Sequence, residues 1–139
     1  MNIEPAALPS PPPQKKLIPS TEVDDTAENR RVITFCEKYR AAVEAKDVEA
    51  LVAMASPRYQ DQDIDYASLA GFLRGSFGHA DAIRYDVLYK HVWFQGNQVL
   101  VDYTYSASYR TGKDWKRSTD DNRLVLEPDG DSFRILRGM

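Results

Sequence analysis

The chain has 139 residues and a formal net charge of −3, and hydrophobic and charged residues make up 42% and 28% of it. This length predicts one domain with a short extension, and the slightly acidic balance gives no electrostatic reason to expect a nucleic-acid partner. The single cysteine, Cys36, excludes an internal disulfide framework, and no apolar run approaches the about 20 residues that a membrane-spanning helix needs.

Residues 1–23 are predicted to be a Pro-rich flexible tail or tether, followed by a folded domain at residues 24–139. Six of the eight prolines lie among the first 20 residues, where the missing amide donors prevent regular structure. The run PPPQKK would also suit a protein partner that binds polyproline segments. Because the N-terminus lacks the pattern of a signal peptide, the cytoplasm is the default location; a periplasmic or envelope-tethered location is expected if a signal sequence was removed.

Three helices are predicted at the start of the domain, each preceded by a capping side chain. Thr26 caps the first helix, in which apolar residues recur at three- and four-residue spacing. Asp47 caps a second, shorter helix with the sequence VEALVAMA, and Asp65 caps a third that closes at Gly78. The apolar face of the third helix is predicted to contain Leu69, Phe72, Leu73 and Phe77.

Four strands are predicted after the helices. The hairpin Ile83–Arg110 is rich in Val, Tyr, Trp and Phe, and Gly96 and Asn97 can take the positive φ angles of a tight turn. Two further strands, Trp115–Glu127 and Ser132–Arg137, are joined by the turn sequence PDGD. This order predicts an α+β fold with three N-terminal helices packed in a curved antiparallel sheet of about four to six strands.

The segment from Thr26 to Met139 resembles the NTF2-like superfamily, which includes SnoaL-like cyclases, ketosteroid isomerase and scytalone dehydratase. The resemblance is carried by the run YRAAVEAKDVEALVAMASPRY and by the closing hairpin LVLEPDGDSFRILRGM. It implies a cone in which the sheet wraps around the helices and leaves an apolar pocket for a small ligand at the wide end. It also implies a homodimer formed through the sheet.

Tyr39 and Asp63 are a candidate catalytic pair because of this resemblance. In ketosteroid isomerase, a tyrosine of the first helix stabilises an oxyanion and a carboxylate 24 residues later moves the proton, and Tyr39 and Asp63 have that spacing. The second oxyanion donor of the isomerase has no clear equivalent in the region RSTDDNRLVL, where Asp120 and Asn122 alternate toward the face of Leu124. The alternative is a core tyrosine and a solvated acidic loop.

His91 is the third candidate for acid–base chemistry, with a structural histidine as the alternative. Strand alternation predicts that His91 and Trp93 share one face with the hairpin tyrosines Tyr85, Tyr89, Tyr103, Tyr105 and Tyr109. Such a face suits a ligand pocket or a protein interface. The residues predicted to contact a ligand are Tyr59, Tyr85, Tyr89, Trp93, Tyr103, Asp120 and Asn122.

Two classes of function follow from these residues. The incomplete catalytic set favours a non-catalytic binding or interaction module with an apolar pocket. The alternative is an isomerase, dehydratase or polyketide cyclase-like enzyme that uses Asp63 with Tyr39 or His91 for proton transfer. Because only two histidines are present and they do not form a two-histidine helix motif, neither a metal nor a cofactor is expected.

Overall fold

The computed structural model of the protein describes residues 21–139. Three helices precede the main sheet, which confirms the predicted α+β order. The helices are α1 (Ala27–Glu44), α2 (Val48–Met54) and α3 (Tyr66–Phe77), with a small ribbon of β1 (Gln60–Asp61) and β2 (Ile64–Asp65) between α2 and α3. The main sheet contains β3 (Ala82–Gln95), β4 (Gln98–Thr111), β5 (Asp114–Asp129) and β6 (Ser132–Arg137).

Each helix begins after the capping residue that the sequence predicts. The side chains of Thr26, Asp47 and Asp65 each accept a hydrogen bond from the backbone amide three residues further along. Such a bond satisfies one of the amides that the first turn leaves unpaired, and its loss costs about 1 kcal/mol. At the third helix, the hydroxyl of Ser68 accepts a hydrogen bond from the amide of Asp65, which completes a capping box.

The four long strands form one antiparallel sheet in the order β3-β4-β5-β6. The turns between them contain Gly96, Gly112 and Gly130, all with positive φ. A positive φ at Asn97 is not found, so that part of the turn prediction is wrong. Because β6 pairs only with residues 125–129, the preceding part of β5 has no strand partner on its outer edge within residues 21–139.

A β-bulge at Lys90 decides which side chains reach the core. Tyr89 pairs with Tyr103 but His91 pairs with Asp102, so Lys90 is an extra residue in β3. One extra residue moves every following side chain to the opposite face of a sheet. The prediction that His91 and Trp93 share the face of the tyrosines is therefore wrong: both lie on the outer face.

The main core lies between the helices and the concave inner face of the sheet. Buried side chains of α1, including Val32 and Phe35, meet Tyr89 and Ile135 from the sheet. The rings of Phe35 and Phe133 pack edge to face with centroids 5.9 Å apart. Burial of each such side chain stabilises the fold by about 1.5–3 kcal/mol. Within α3, Leu69 and Leu73 are buried as predicted, whereas Phe72 is 41% exposed.

Residues 21–23 pack against β3, although they belong to the range predicted as tail. Thr21 and Val23 are buried, and the amide of Glu22 donates a 2.8 Å hydrogen bond to the carbonyl of Tyr89. The rest of the predicted tail, including its polyproline run, lies outside the described residues, so the domain division stays a prediction. No helix in the described range is long and apolar enough to cross a membrane.

Candidate functional site

An open cleft of about 420 Å³ lies between the helices and the inner face of the sheet. This volume is within the range of small-molecule sites. Its apolar lining comes from Val43, Leu51, Phe72, Leu73, Phe77 and Met139. Its polar lining includes Tyr39, Asp61, Ser76, Tyr85, Tyr105, Asp120, Asn122 and Gly138. We call this site the tyrosine cleft.

A chain of polar groups runs along the inner wall of the tyrosine cleft. The side-chain amide of Asn122 donates a 2.7 Å hydrogen bond to the hydroxyl oxygen of Tyr103. That oxygen lies 3.5 Å from the hydroxyl oxygen of Tyr85. The ring of Tyr39 packs edge to face on the ring of Tyr85, with centroids 6.5 Å apart. Tyr39, Tyr85 and Tyr103 thus bring three phenols together beside the cleft.

Burial keeps these phenols protonated. It raises the pKa of Tyr39, Tyr85 and Tyr103 well above the ordinary value, because a phenolate would lose its hydration in the core. Charge repulsion between neighbouring phenolates also raises these pKa values, and hydrogen bonds among the phenols offset part of the rise. Since Asn122 donates to the oxygen of Tyr103, the hydroxyl proton of Tyr103 points away from Asn122. The three phenol hydroxyls can therefore act as hydrogen-bond donors near the cleft.

The segment Gly138-Met139 forms part of the cleft wall. The amide of Gly138 donates to the Asp61 carboxylate at 3.1 Å, and its carbonyl accepts from the amide of Asn122 at 2.8 Å. The amide of Met139 donates to the hydroxyl of Tyr59 at 3.1 Å. Gly138 has φ +111°, and a Cβ there would lie 2.3 Å from the Arg123 carbonyl oxygen, so only glycine fits.

Four of the predicted site residues line the tyrosine cleft: Tyr39, Tyr85, Asp120 and Asn122. The register of β4 and β5 places Asp120 and Asn122 opposite Tyr105 and Tyr103, on the inner face that alternation predicts. Tyr103 is 2% exposed and reaches the cleft through its hydroxyl contacts. These five residues are therefore brought together by the fold.

The other predicted residues lie away from this group. Asp63 is exposed in the turn between β1 and β2, beyond Gln62, whose φ of 55° turns the chain away from the strand direction. Tyr59 and Tyr89 are buried, and their hydroxyls bond to the Met139 amide and the Glu37 carboxylate. The proton-transfer role of Asp63 stays a prediction, and its exposed position gives it no support.

His91 and Trp93 stack on each other on the outer face, with ring centroids 5.4 Å apart. His91 lines a separate open cleft of about 410 Å³ together with Lys90, Asp102 and Arg123. The Arg123 guanidinium binds the Asp102 carboxylate at 2.6 Å and also lies 5.1 Å from the centre of the Trp93 ring. Tyr103 and Asn122 also border this cleft, but the register puts their side chains on the inner face, so His91 and the phenol hydroxyls do not form one site.

Several cleft residues were not predicted, most clearly Asp61, Phe72 and the segment Gly138-Met139. Asp61 lies two residues before the predicted carboxylate and faces the cleft because it is still within β1. Phe72 was assigned to the core, and the chain end carries no polar side chain that marks a site. Among residues 21–139, no group of three histidine, cysteine or acidic side chains could hold a metal ion.

Neither a scan against models of known protein families nor a search of curated proteins found a match. Solved structures do match. A provisionally assigned dehydratase of the NTF2-like family from Streptomyces avermitilis has a TM-score of 0.69 at 12% identity, over 79% of this chain and 92% of that one. The protein Aln2 from a Streptomyces species has a TM-score of 0.69 at 11% identity, over 85% of this chain and 92% of that one.

A provisionally assigned scytalone dehydratase from Novosphingobium aromaticivorans aligns with a TM-score of 0.65 at 12% identity, over 80% of each chain. Identities this low establish the architecture rather than an activity, and the order of helices and strands agrees with that architecture. The chain has the NTF2-like fold.

Proposed function

We propose that this protein is a binding module that holds a small, mostly apolar molecule in the tyrosine cleft. The observation that carries the proposal is the cluster of protonated phenols on one wall, opposite apolar side chains of the helices. Because phenols without a charged partner donate hydrogen bonds, the ligand that fits presents an acceptor, such as a carbonyl oxygen, to Tyr39 and Tyr85. Polycyclic ketones and hydroxylated aromatic compounds have this chemistry.

The first experiment is a thermal-shift screen of the full chain against steroids and aromatic polyketides, followed by titration calorimetry of each hit. Tyr39→Phe and Tyr85→Phe each remove a donor and leave the ring in place, so we expect affinity for a carbonyl ligand to fall about 5–10-fold. Tyr89→Phe is the matched control, because the hydroxyl of Tyr89 bonds to Glu37 outside the cleft.

Equal losses of affinity in Tyr89→Phe and Tyr85→Phe would contradict a ligand held by the cleft phenols. A hit that binds all three variants as tightly as the parent protein would place the ligand elsewhere. Absence of any shift across the screen would argue against this ligand class.

The alternative function is proton transfer of the isomerase, dehydratase or cyclase kind. It is favoured by the carboxylates of Asp61 and Asp120, which line the same cleft as the phenols. A phenol that donates to a carbonyl oxygen would stabilise the enolate formed when a nearby carboxylate removes an adjacent proton. In this proposal Asp61 or Asp120 takes the role of base that the sequence suggested for Asp63.

Proton exchange provides a direct assay for the alternative. Loss of the α-proton of a cyclic ketone in D₂O can be followed by NMR, with Asp61→Asn, Asp120→Asn and Asp63→Asn as variants. Enzymatic exchange should fall in one of the first two and persist in Asp63→Asn. If the protein binds the ketone without accelerating exchange, it is a binding module and the alternative is rejected.

We propose the cytoplasm as the location of the protein and a homodimer, formed through the outer face of the sheet, as its assembly. The support for the dimer is the exposed ring of Trp93, which is 42% exposed on that face.

A further inference from the structure

The outer face of the sheet carries a cationic patch that neither the core nor the tyrosine cleft uses. Arg84, Arg110 and Arg117 come from β3, β4 and β5, and Trp115 lies among them with 42% of its surface exposed. In the strand register, Arg84, Ser108 and Arg117 form one row, and Arg110 lies opposite Trp115 two residues further along β4. Side chains in these rows share one face. We call the three arginines and Trp115 the arginine patch.

The indole of Trp115 holds two of the guanidinium groups. The Cζ atom of Arg84 lies 4.5 Å from the centre of the Trp115 ring, and the Cζ atom of Arg110 lies 5.8 Å from it. Such contacts orient a guanidinium group without neutralising its charge. Arg117 is held differently, by a 2.6 Å hydrogen bond from its Nε to the hydroxyl of Ser106. All three cations are therefore positioned before any partner arrives.

None of the three arginines has a carboxylate partner within the described chain, residues 21–139. Other arginines of this range, at positions 30, 40, 58, 123 and 134, each form an ion pair. The Nε of Arg110 is buried and has no hydrogen-bond partner in this structure. A buried donor without an acceptor costs about 1–3 kcal/mol, so an incoming acceptor would be favourable there.

The patch is positively charged, although the chain as a whole has a net charge of −3. Asp86 occupies the next row of the same face, opposite Ser106, and is the nearest carboxylate on that face, because Asp114, next to Trp115, alternates to the other face. Three cations and one anion leave the area positive. An acidic partner would be attracted to this end of the sheet, which favours one orientation of binding.

The spacing of the cations matches an extended peptide. Arg84 and Arg117 lie two strands apart, about 10 Å, and the row of Arg110 is about 7 Å further along the strands. Alternate side chains of an extended segment are also about 7 Å apart. A nucleic acid would need a longer basic track, and Asp102 and Asp121 interrupt the same face.

We propose that the arginine patch is a docking surface for an extended acidic segment of a protein partner. Carboxylates at alternate positions of that segment pair with the guanidinium groups of Arg84, Arg110 and Arg117. The side of the segment between them packs on the exposed part of Trp115. Arginine and tryptophan are among the residue types enriched at the positions that contribute most binding energy in protein interfaces.

The test is fluorescence anisotropy with a labelled peptide in which glutamate and serine alternate. We expect salt-sensitive binding to the full-length protein, and no binding of the same peptide with glutamine in place of glutamate. The double variant Arg84→Gln/Arg117→Gln should weaken binding about tenfold or more, because charge-assisted hydrogen bonds are lost. Arg74→Gln, an exposed arginine of α3 on the other side of the molecule, is the matched control.

Circular dichroism checks that each variant folds. If the glutamine double variant does not fold, Arg84→Lys/Arg117→Lys replaces it; this variant keeps the charge but loses the planar fork, so we expect intermediate binding.

The proposal is overturned if Arg74→Gln weakens binding as much as the double variant, or if neither changes it. It is also overturned if a single-stranded oligonucleotide of equal charge binds more tightly than the peptide. A dimer that becomes monomeric in the double variant, with no peptide binding to either form, would assign the patch to a second copy of the chain.

Discussion

At the scale of single residues, Asn122 connects the binding wall to the chain end. Its amide nitrogen donates to the hydroxyl of Tyr103 and to the carbonyl of Gly138. These two bonds fix the direction of the Tyr103 proton and close the wall at the same time. One amide side chain thus sets both the polarity and the shape of the tyrosine cleft.

Replacing Asn122 should therefore cost stability. In Asn122→Ala the phenol of Tyr103 and the carbonyl of Gly138 each lose a donor, and we expect the free energy of unfolding to fall by about 1–3 kcal/mol. Urea unfolding followed by fluorescence measures the change. Asn97→Ala, in the exposed β3–β4 turn, is the control and should have little effect. Equal effects at both positions would contradict the bridging role.

Glu127 gives the fold a defined dependence on pH. Hydrogen bonds from Ser56, at 2.6 Å, and from Arg58, with the charge of Arg58, hold the pKa of Glu127 below its ordinary value of about 4.5. A depressed pKa means that the folded state binds the proton less readily than the unfolded state. The stabilisation is thus fully present above about pH 4.5. It is lost as the pH falls through the lower pKa of the folded state.

Glu127→Gln removes this titration. We expect the parent protein to be more stable than the variant at pH 7 and the difference to shrink as the pH falls below about 4.5. Thermal unfolding of both proteins from pH 7 to pH 3 measures it. A difference in melting temperature that does not change with pH would mean that the glutamate acts through packing alone.

At the scale of elements, the segment Gly138-Met139 after β6 packs closely against β5 and forms part of the wall of the tyrosine cleft. Gly138→Ala would place a Cβ against the backbone of Arg123 and force a positive φ on alanine. We expect destabilisation of more than about 1 kcal/mol and loss of affinity for any cleft ligand. Gly75→Ala, in α3 with open space around it, is the control and should be neutral or stabilising by about 0.5–1 kcal/mol. Tolerance of Gly138→Ala in both measurements would mean that the segment moves freely.

Elements whose signals are local could be predicted from the sequence. Thr26, Asp47 and Asp65 cap helices through amides three residues away, and glycine at position 96 supplies the positive φ of its turn. The strand faces of β5 were also predictable, because alternation alone puts Asp120 and Asn122 beside Leu124.

Two features of the backbone could not be predicted in this way. The bulge at Lys90 follows Tyr89, whose carbonyl accepts bonds from Thr21 and Glu22, which lie far away in the sequence. The choice of Asp61 over Asp63 depends on the left-handed turn at Gln62. Spacing taken from another enzyme of the same fold does not include either change in backbone direction.

At the scale of the whole molecule, the two ends of the outer face have different chemistry. Trp93 lies in the same row as Leu100 and Val125, whereas Trp115 lies opposite Arg110, ten residues further along β4. Ten residues of strand span about 33 Å. An apolar contact between two copies at the Trp93 end would therefore leave the arginine patch accessible.

This arrangement gives a prediction for the assembly. We expect the protein to be a dimer by light scattering, and Trp93→Glu to shift the mass toward the monomer because it places a charge in the apolar contact. Tyr66→Glu, at a similarly exposed aromatic residue of α3, is the control and should stay dimeric. A parent protein that is monomeric at high concentration would reject this interface.

The bulge at Lys90 also has a consequence for how such a chain can change over generations. Loss of the single codon for Lys90 would remove the extra residue and leave His91 opposite Asp102 and Trp93 opposite Leu100, so both side chains would stay on the outer face and Val92 on the inner face. The imidazole would stay on the outer face, and the wall that carries the phenols would keep its side chains. The bulge thus gives this strand one place where a residue can be lost without exchanging side chains between the ligand-binding surface and the partner-binding surface.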